Sequence, residues 1–227
     1  MSAAWQLACL DMAGTTVRDD GLVERAFTTA VEGLGTLRST AAYEEMLAVV
    51  RATMGQSKID VFRRLFNGNE KVAWQANVAF EEAYGDQVRQ GAIMPISGAI
   101  ETITVLRKAG VKVALTTGFS QATQDAIVDA LGWRDSVDLT ICPSRGVRGR
   151  PYPDMVLVAA GRLDVEDMDA VVVVGDTPSD IMSGLSANAG LVLGVLTGVG
   201  DRRSLGEAGA MRTMGAIGEL PGVLGVE

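Results

Sequence analysis

The sequence predicts an α/β protein with a doubly wound parallel sheet and a helical domain inserted after the first strand. Five short apolar runs rich in β-branched residues have the length of buried strands, and helical patterns separate the last four of them. Such alternation is typical of right-handed β-α-β units with helices on both faces of a parallel sheet. The interval between the first two runs, residues 17–95, instead shows apolar residues at helical spacing only.

The individual elements follow from this pattern in chain order. The predicted strands are residues 7–10, 111–115, 137–141, 171–174 and 191–195. The predicted helices are residues 22–34, 41–51, 59–66 and 71–88 in the insertion, and 98–109, 121–131 and 155–163 between the later strands. Residues after Gly198 are expected to form loops and a terminal segment on the sheet edge. We therefore predict a core of residues 1–16 and 97–227 and a helical cap domain of residues 17–96.

The composition is that of a soluble globular protein. The 227 residues are 48% hydrophobic and 21% charged, with a net charge of −8, which disfavours nucleic acids and anionic membranes as partners. The apolar start is short and has no basic leader, and no run approaches the roughly 20 apolar residues of a membrane span. Because Cys9 and Cys142 lie in or beside apolar runs, we expect buried thiols in a reducing compartment and a cytoplasmic protein.

The sequence contains no histidine, and this absence excludes several kinds of site. Ser-His-Asp and Cys-His catalysis, histidine general bases and histidine metal ligands all need the imidazole ring. Any catalysis must therefore use carboxylates, lysine, arginine, hydroxyls and a metal bound through oxygen.

The first predicted strand leads directly into Asp11, which Gly14 and two threonines follow. In an open α/β sheet, ligands bind just outside the carboxyl ends of the strands, so we expect Asp11 at a binding edge. Gly14 would let backbone N–H groups approach an anion. The alternative is that this stretch is ordinary turn chemistry.

The fourth predicted strand is also followed by acidic residues, with Asp176 at its end and Asp180 at the start of the next helix. Beside Asp11 on a neighbouring strand, these carboxylates would form a hard-oxygen site suited to Mg²⁺. The alternative is one aspartate that caps the helix and one that is solvated.

Two further segments offer groups for an oxyanion. The second predicted strand leads into Thr117 and Gly118, whose hydroxyl and backbone N–H could hold a phosphoryl oxygen, although Thr-Gly is also common in turns. A cluster of arginines, Arg145, Arg148 and Arg150, supplies the cation that an acidic protein needs to bind a phosphorus oxyanion. For Arg145 and Arg148 we favour a solvated basic loop.

In chain order, these groups are the aspartate Asp11, then Thr117, then Arg150, then the acidic pair Asp176 and Asp180. This order resembles the four motifs of the haloacid dehalogenase superfamily of phosphotransferases and hydrolases, and the helical insertion resembles its cap. The resemblance covers nearly the whole chain and implies a Rossmann-like core. It implies an enzyme whose first aspartate attacks phosphorus to form an aspartyl-phosphate, which water then hydrolyses, with Mg²⁺ shielding the charge. The implied roles are Asp11 and Thr15 as catalytic residues, Thr117, Gly118 and Arg150 as phosphoryl-binding residues, Asp11, Ala13 and Asp176 as metal ligands, and Asp180 as support for the metal site.

Ala13 stands where most phosphatases of the superfamily carry a second aspartate, which protonates the leaving alkoxide. The pattern Asp-x-Ala-Gly-Thr-Thr, together with arginine at position 150, is similar to the phosphonoacetaldehyde hydrolase (phosphonatase) subfamily. That subfamily cleaves a carbon–phosphorus bond, and its cap supplies a lysine that forms an imine, or Schiff base, with the substrate aldehyde. The imine accepts the departing electrons, so losing the acid at Ala13 and gaining a lysine are one coupled catalytic change.

The segment from Met54 to Lys58 is similar to Met-Gly-x-x-Lys of that subfamily, which implies that Lys58 forms the imine. Met54 and Gly55 would support the cap side of the site. Ser57 and Asp60 have the spacing of a capping box, which predicts Lys58 in the first turn of a helix, where the helix dipole disfavours the ammonium form. The alternative is that Lys58 is one of several exposed lysines.

Two positions depart from the subfamily, because Val61 replaces a histidine and Phe119 replaces a tyrosine. The substrate therefore stays open between phosphonoacetaldehyde and a related 2-oxoalkylphosphonate, such as one with an extra hydroxyl. The first hypothesis is a Mg²⁺-dependent C–P hydrolase that uses Asp11 and Lys58. The second is a phosphate-monoester phosphatase of the phosphoglycolate type without the usual acid, and the third is a non-catalytic phospho-switch. We also expect a homodimer formed through the cap, as in phosphonatase.

Overall fold

The structure, a computed structural model, describes residues 5–226. Its centre is a sheet of six parallel strands. The strands are β1 (Leu7–Asp11), β2 (Lys112–Thr116), β3 (Leu139–Ile141), β4 (Val171–Gly175), β5 (Leu191–Val195) and β6 (Arg212–Met214). Their spatial order is β3-β2-β1-β4-β5-β6, which confirms the predicted doubly wound α/β fold.

Helices cover the sheet and fill the long interval after β1. Helices α1 (Leu22–Gly33), α2 (Ala41–Ala52), α3 (Lys58–Leu65) and α4 (Glu70–Arg89) lie between β1 and β2 in the chain. The later helices are α5 (Ala99–Lys108), α6 (Gln121–Ala130), α7 (Asp154–Arg162), α8 (Pro178–Ser186), α9 (Arg202–Glu207) and α10 (Leu220–Leu224). Across residues 5–226, no helix combines the length and the apolar character needed to cross a membrane.

Strand β1 lies in the middle of the sheet, and all five of its residues are buried. It pairs with β2 on one side and with β4 on the other. Ala8 and Leu10 pack into the apolar cluster on one face of the sheet, whereas Leu7 and Cys9 pack into the cluster on the other face. A strand covered on both faces needs this continuous apolar sequence. The strand order reverses at β1, so its carboxyl end is the point where open α/β sheets bind ligands.

Helices α1, α3 and α4 share an aromatic core. Phe27 of α1, Phe62 of α3 and Phe80 of α4 are all buried. The ring centroid of Phe62 lies 6.2 Å from that of Phe27 and 5.9 Å from that of Phe80. Each such aromatic pair adds about 0.5–1.5 kcal/mol beyond the burial of its surface. These contacts join three of the inserted helices to one another.

The two segments that join the inserted helices to the sheet run side by side. The Ile96 N–H donates to the Thr16 carbonyl, and the Arg18 N–H donates to the Met94 carbonyl, each at 2.9 Å. The predicted domain boundaries, after residue 16 and before residue 97, fall at this crossing. The division into a core of residues 1–16 and 97–227 and a cap of residues 17–96 stays a prediction.

The C-terminal region differs from the predicted loops, because it contains α9, the edge strand β6 and α10. Strand β6 pairs with β5 through three residues, one of them the exposed Arg212, so it has no continuous apolar run that would predict a strand. Strand β3 is shorter than predicted. Its ladder stops at Asp138, whose carboxylate accepts the Val113 N–H at 2.8 Å.

We expect Phe80→Ala to lower the free energy of unfolding by about 3–5 kcal/mol, because it leaves a cavity among buried rings. Trp74→Ala is the matched control, since Trp74 lies on the same helix but is 64% exposed. That variant should change the free energy by about 0.5 kcal/mol or less. Urea unfolding followed by circular dichroism measures both, and equal losses would contradict the buried aromatic core.

Candidate active site

Three carboxylates meet at the carboxyl ends of β1 and β4. Asp11 is the last residue of β1, Asp176 follows β4, and Asp180 lies in the first turn of α8. One oxygen from each residue lies within 4.8 Å of the others, and all three residues are buried. This acidic cluster therefore occupies the switch point that the strand order predicts.

Arg150 is the buried cation of the acidic cluster. Its Nη1 lies 2.8 Å from Asp11 Oδ1, and its Nε lies 2.6 Å from Asp180 Oδ1. Its Nη2 donates to Thr116 Oγ1 at 2.5 Å. The guanidinium thus joins the ends of β1 and β2 to the start of α8. The sequence predicted a phosphoryl-binding role for Arg150, and the structure adds that it orients two of the carboxylates.

Asp180 is held by a capping box at the start of α8. Its Oδ2 accepts the Thr177 N–H at 3.0 Å and the Thr177 hydroxyl at 2.5 Å, and Thr177 Oγ1 accepts the Asp180 N–H at 3.3 Å. The alternative of a solvated carboxylate is wrong, because Asp180 is 1% exposed. These contacts place Asp180 beside Asp11 and Asp176 as a support rather than at the cavity wall.

Asp176 is held between the turn after β1 and the loop after β5. Its Oδ2 accepts the Val199 N–H at 2.8 Å, and the Thr15 hydroxyl donates to its Oδ1 at 3.4 Å. Gly14 has a φ of 94°, and a Cβ there would lie 2.5 Å from Asp176 Oδ2, so only glycine fits. Thr15, predicted to be catalytic, contacts Asp176 and is not among the residues that line the cavity. Ala13 can offer a metal only its backbone carbonyl oxygen.

The acidic cluster holds three carboxylates but one guanidinium. Burial raises the pKa of Asp11 well above its ordinary value; Arg150 opposes this shift, and Asp180 and Asp176 increase it. Burial, followed by the charge of Asp180, raises the pKa of Asp176 to about 7. A divalent cation would compensate the surplus negative charge, and carboxylate and carbonyl oxygens are the ligands that Mg²⁺ prefers. The donor set therefore fits a Mg²⁺ ion.

Helix α3 begins at Lys58, but the predicted capping box does not form. Ser57 occupies the N-cap position, yet within the described chain its buried side chain caps no N–H group. The Asp60 carboxylate pairs with Arg63 at 2.8 Å instead of reaching back to Ser57. The Lys58 N–H donates to the Gly118 carbonyl at 3.2 Å. The loop after β2, and not a local cap, thus anchors the start of this helix.

Asp11 and Lys58 line the same cavity, which has a volume of about 180 Å³. The predicted site residues that line it are Asp11, Ala13, Met54, Gly55, Lys58, Thr117, Gly118, Arg150 and Asp176. Thr15 and Asp180 lie behind the wall, in contact with Asp176 and Arg150 respectively. Arg145 and Arg148 are exposed, and Arg148 pairs with Asp154 at 2.7 Å. Cys9 and Cys142 are buried free thiols, as predicted.

Lys58 is half-buried in this cavity and is not an exposed surface lysine. Its Nζ lies 5.1 Å from the centroid of the Phe119 ring. Burial lowers the pKa of Lys58, and the carboxylates of Asp19, Glu81 and Asp11 oppose the shift. Because desolvation is the larger effect, the neutral amine is more accessible here than in a solvated lysine.

The cap contacts the core around this cavity. The Gly55 carbonyl accepts from Arg150 Nη1 at 3.2 Å. On α4, the Glu81 carboxylate accepts the Ser120 N–H at 3.1 Å and the Ser120 hydroxyl at 2.7 Å. Gly55 has a φ of 82°, and a Cβ there would lie 2.5 Å from Thr177 Oγ1, so the close approach of the cap requires glycine.

Sequence reasoning missed five residues that line the cavity. These residues are Asp19, Val23, Thr177, Gly198 and Val199. Asp19 lies in a polar triplet that carries no motif, and the last two belong to a tail that was predicted only as loops. The signal for Thr177 was its position between Asp176 and the next helix, where a hydroxyl side chain commonly caps the N-terminus of the helix.

Comparisons with known proteins identify the family of this chain. A family model described as haloacid dehalogenase-like hydrolase matches residues 5–188. A phosphonoacetaldehyde hydrolase from Bacteroides fragilis is 40% identical over 106 residues, which are 44% of this chain and 40% of that protein. The match thus spans about two-fifths of the length of that relative.

Solved structures show the same fold over almost the whole chain. A phosphonoacetaldehyde hydrolase-like protein from Oleispira antarctica superposes with a TM-score of 0.84 at 23% identity, covering 99% of this chain and 92% of that one. A hydrolase from Pseudomonas syringae superposes with a TM-score of 0.83 at 21% identity, covering 97% and 98% of the two chains. At these identities the likeness concerns the fold.

In the metal-free protein, we expect the melting temperature to fall as the pH rises towards and through about 7. The raised folded-state pKa of Asp176 means that the folded protein binds a proton that the unfolded chain has already released, so this stability is lost with rising pH. Mg²⁺ should therefore raise the melting temperature more at high pH than at low pH. Differential scanning fluorimetry with chelator or Mg²⁺ measures this.

Asp176→Asn is the control for that experiment, because it removes the titrating carboxylate and one metal ligand while an amide oxygen can still accept the Val199 N–H. The variant should lose most of the Mg²⁺ response and much of the pH slope. A metal-free wild-type protein that becomes more stable between weakly acidic and neutral pH would contradict the buried, like-charged cluster.

We expect Gly118→Ala to loosen the cap, because an added Cβ would lie 2.9 Å from the Gly55 carbonyl oxygen and press on the Gln56 backbone. An overpacking cost of about 1–3 kcal/mol corresponds to a roughly 5- to 150-fold larger population of the open form. Hydrogen exchange of residues 54–58 measures this opening. Gly161→Ala on α7 is the control, since a Cβ there meets no atom within 4 Å. Equal exchange in both variants would contradict the close contact.

Proposed function

The chain belongs to the haloacid dehalogenase-like hydrolase family, and on this premise we propose that it is a Mg²⁺-dependent hydrolase that cleaves the carbon–phosphorus bond of a 2-oxoalkylphosphonate. Phosphonoacetaldehyde or a close relative is the proposed substrate, which the similarity to proteins named phosphonoacetaldehyde hydrolase supports. The observation that carries the proposal is that the Lys58 amine and the Asp11 carboxylate line one cavity. Ala13 lines the same cavity, and its methyl side chain offers no acid for an alkoxide leaving group.

Asp11 is the proposed nucleophile. Its carboxylate attacks phosphorus, an O–P bond forms, and the C–P bond breaks with its electron pair moving to carbon. Arg150, 2.8 Å from Asp11 Oδ1, holds the carboxylate in place and opposes the rise of its pKa. Water then hydrolyses the aspartyl-phosphate and releases phosphate.

Lys58 is the proposed acceptor for the electrons that leave phosphorus. Its neutral amine adds to the C2 carbonyl carbon and water leaves, which gives a protonated imine. When the C–P bond breaks, the electron pair moves into this imine and the leaving group becomes an enamine. No oxygen atom has to be protonated at that step, so the alanine at position 13 suits this reaction.

Burial supports the role of Lys58. A free lysine has a pKa of about 10.4 and is almost entirely protonated at neutral pH, so it must be desolvated to act as a nucleophile. The cavity supplies this desolvation through the half-buried position of Lys58 and the apolar ring of Phe119. Removal of water also protects the aspartyl-phosphate and the enamine until the cap opens.

The substrate and the acidic cluster both carry negative charge, and two sets of residues would accommodate them. Thr117, Gly118 and Arg150 would bind the phosphoryl group, and Asp11, Asp176 and the Ala13 carbonyl would hold Mg²⁺. When bound, Mg²⁺ would neutralise the charge on the phosphoryl oxygens. An acidic protein needs these cations to accept an anionic substrate.

A phosphate-monoester phosphatase is the alternative, because the same nucleophile and phosphoryl-binding residues would serve P–O cleavage. Such an enzyme must protonate an alkoxide, and Ala13 cannot do so. Family membership favours hydrolysis over a phospho-switch. The homodimer through the cap stays a prediction.

Treating the wild-type protein with phosphonoacetaldehyde and borohydride should reduce the imine and leave a covalent adduct on Lys58. Lys58→Arg keeps the positive charge but cannot form an imine. This variant should lose the adduct and slow phosphate release by about 10³-fold or more, the scale expected for losing a covalent catalyst. Peptide mass spectrometry and a phosphate assay measure the two effects.

Two controls define the outcome. Lys71→Arg changes an exposed lysine of the same cap and should leave adduct and turnover unchanged. Asp11→Asn should retain the adduct but release no phosphate. Phosphate esters such as phosphoglycolate form the second arm of the substrate panel. Turnover of esters that survives Lys58→Ala, with no adduct from the phosphonate, would establish the phosphatase instead.

A further inference from the structure

We infer that Asp19 is the catalytic acid and base for the amine chemistry at Lys58. It gives a proton to the oxygen that leaves as water when the imine forms, and it takes a proton back when the imine is hydrolysed. The inference rests on the proposed function and extends it to a residue outside every sequence motif described above. Asp19 lies in the segment that leads from β1 into the cap.

Asp19 and Lys58 reach the same cavity from different elements. Asp19 precedes α1, and its carbonyl accepts the Leu22 N–H at 2.7 Å. Its Oδ1 accepts the Val23 N–H at 3.1 Å. These two bonds fix the backbone and the carboxyl group at the start of α1. A group held in this way needs little reorganisation to act on an atom bound at Lys58.

Among the described residues of the cavity, Asp19 is the carboxyl group that has no other assignment. Asp11 and Asp176 belong to the acidic cluster. Glu81, which also acts on the charge of Lys58, accepts three hydrogen bonds at the start of α6. The sequence contains no histidine that could exchange the proton instead. Asp19 is therefore the proton donor for the oxygen that leaves when Lys58 forms the imine.

The surroundings of Asp19 make its protonated form more accessible than that of a solvated aspartate. Burial raises the pKa of Asp19, although the backbone N–H groups of Val23 and Gly21 and the charges of Lys58 and Arg25 oppose the shift. Burial also lowers the pKa of Lys58. The two shifts both favour the pair of a neutral carboxylic acid and a neutral amine, which is the pair that imine formation requires.

Tyr84 is a further titratable group near Asp19, and it is too weak an acid to replace it. Its side chain is fully buried, and its ring centroid lies 4.4 Å from that of Phe119. Burial, with the charge of Asp19, raises the pKa of the Tyr84 hydroxyl. This hydroxyl therefore keeps its proton and does not serve as an acid for the imine.

The proton balance of the step is closed by Asp19. The Lys58 nitrogen adds to the carbonyl carbon, and its extra proton moves to the carbonyl oxygen. Protonated Asp19 then protonates the resulting hydroxyl, the C–O bond breaks, water leaves, and an iminium faces the Asp19 carboxylate. After C–P cleavage the enamine carbon takes a proton from solvent. A water molecule then adds to the iminium carbon and gives one proton to Asp19. The remaining hydroxyl proton moves to the nitrogen, the C–N bond breaks, and the aldehyde product and the neutral Lys58 amine are released.

Asp19→Asn tests this assignment, because the amide oxygen can still accept the Val23 N–H while the exchangeable acid is lost. Asp20→Asn is the matched control: Asp20 is exposed, lies 3.1 Å from Arg18, and has a φ of 42° that asparagine tolerates. Phosphonoacetaldehyde is mixed with each protein, and borohydride is added after increasing delays. We expect Asp19→Asn to form the Lys58 adduct about 10²–10⁴-fold more slowly, and Asp20→Asn to match the wild type.

The outcomes separate this inference from the proposed function. A wild-type protein that forms no Lys58 adduct overturns the proposed function itself. A wild-type adduct together with an unchanged rate in Asp19→Asn overturns only the role of Asp19. Asp19→Ser is a second variant, in which added formate should restore adduct formation as a small replacement acid. Formate should not accelerate Asp20→Asn, and a failure of formate to rescue a folded Asp19→Ser protein would contradict the assignment.

Discussion

The burial of Arg150 between Asp11 and Asp180 is the interaction on which the active edge of the sheet depends. The side chains of these three residues are 3%, 6% and 1% exposed, so each charge has lost its hydration. Burying each ion costs several kcal/mol of hydration free energy. The attraction between the paired charges offsets this cost only if the partners stay in place. Because the guanidinium also binds Thr116, one side chain ties β1, β2 and α8 together. Its charge is permanent, whereas the carboxyl groups around it titrate.

The cap imposes one physical change, desolvation, on groups of opposite charge. Burial raises the pKa values of Asp11 and Asp176, and it lowers the pKa of Lys58. Both shifts favour neutral forms, but the two ends of the cavity can respond differently to ligands. A divalent cation would return the acidic cluster to its charged form. The amine at Lys58 gains no such partner, so the cavity can hold a nucleophilic carboxylate and a nucleophilic amine together.

Local pattern in the sequence was enough to predict the sheet centre and much of the cavity wall. Buried strands such as β1 need continuous apolar runs, which the sequence shows. Asp11 lies at the binding edge of the sheet because it is the last residue of β1. Features set by distant contacts could not be predicted in this way. Strand β6 forms through pairing with β5, and α3 is anchored by the Gly118 carbonyl instead of a local cap at Ser57. Asp19 reaches the cavity only because α1 begins where it does.

Position 13 has no acidic side chain, whereas position 19 has one. Both features are explained by which oxygen atom of the substrate has to leave in the proposed reaction. In ester hydrolysis the leaving oxygen is bonded to phosphorus, so its acid belongs beside the nucleophile Asp11. In the proposed C–P cleavage the leaving oxygen departs from C2, where Lys58 forms the imine. An acid is therefore needed at the amine end of the cavity, and none is needed at position 13. The same loop after β1 supplies both solutions, because it passes Ala13 at the acidic cluster and then delivers Asp19 to the start of α1.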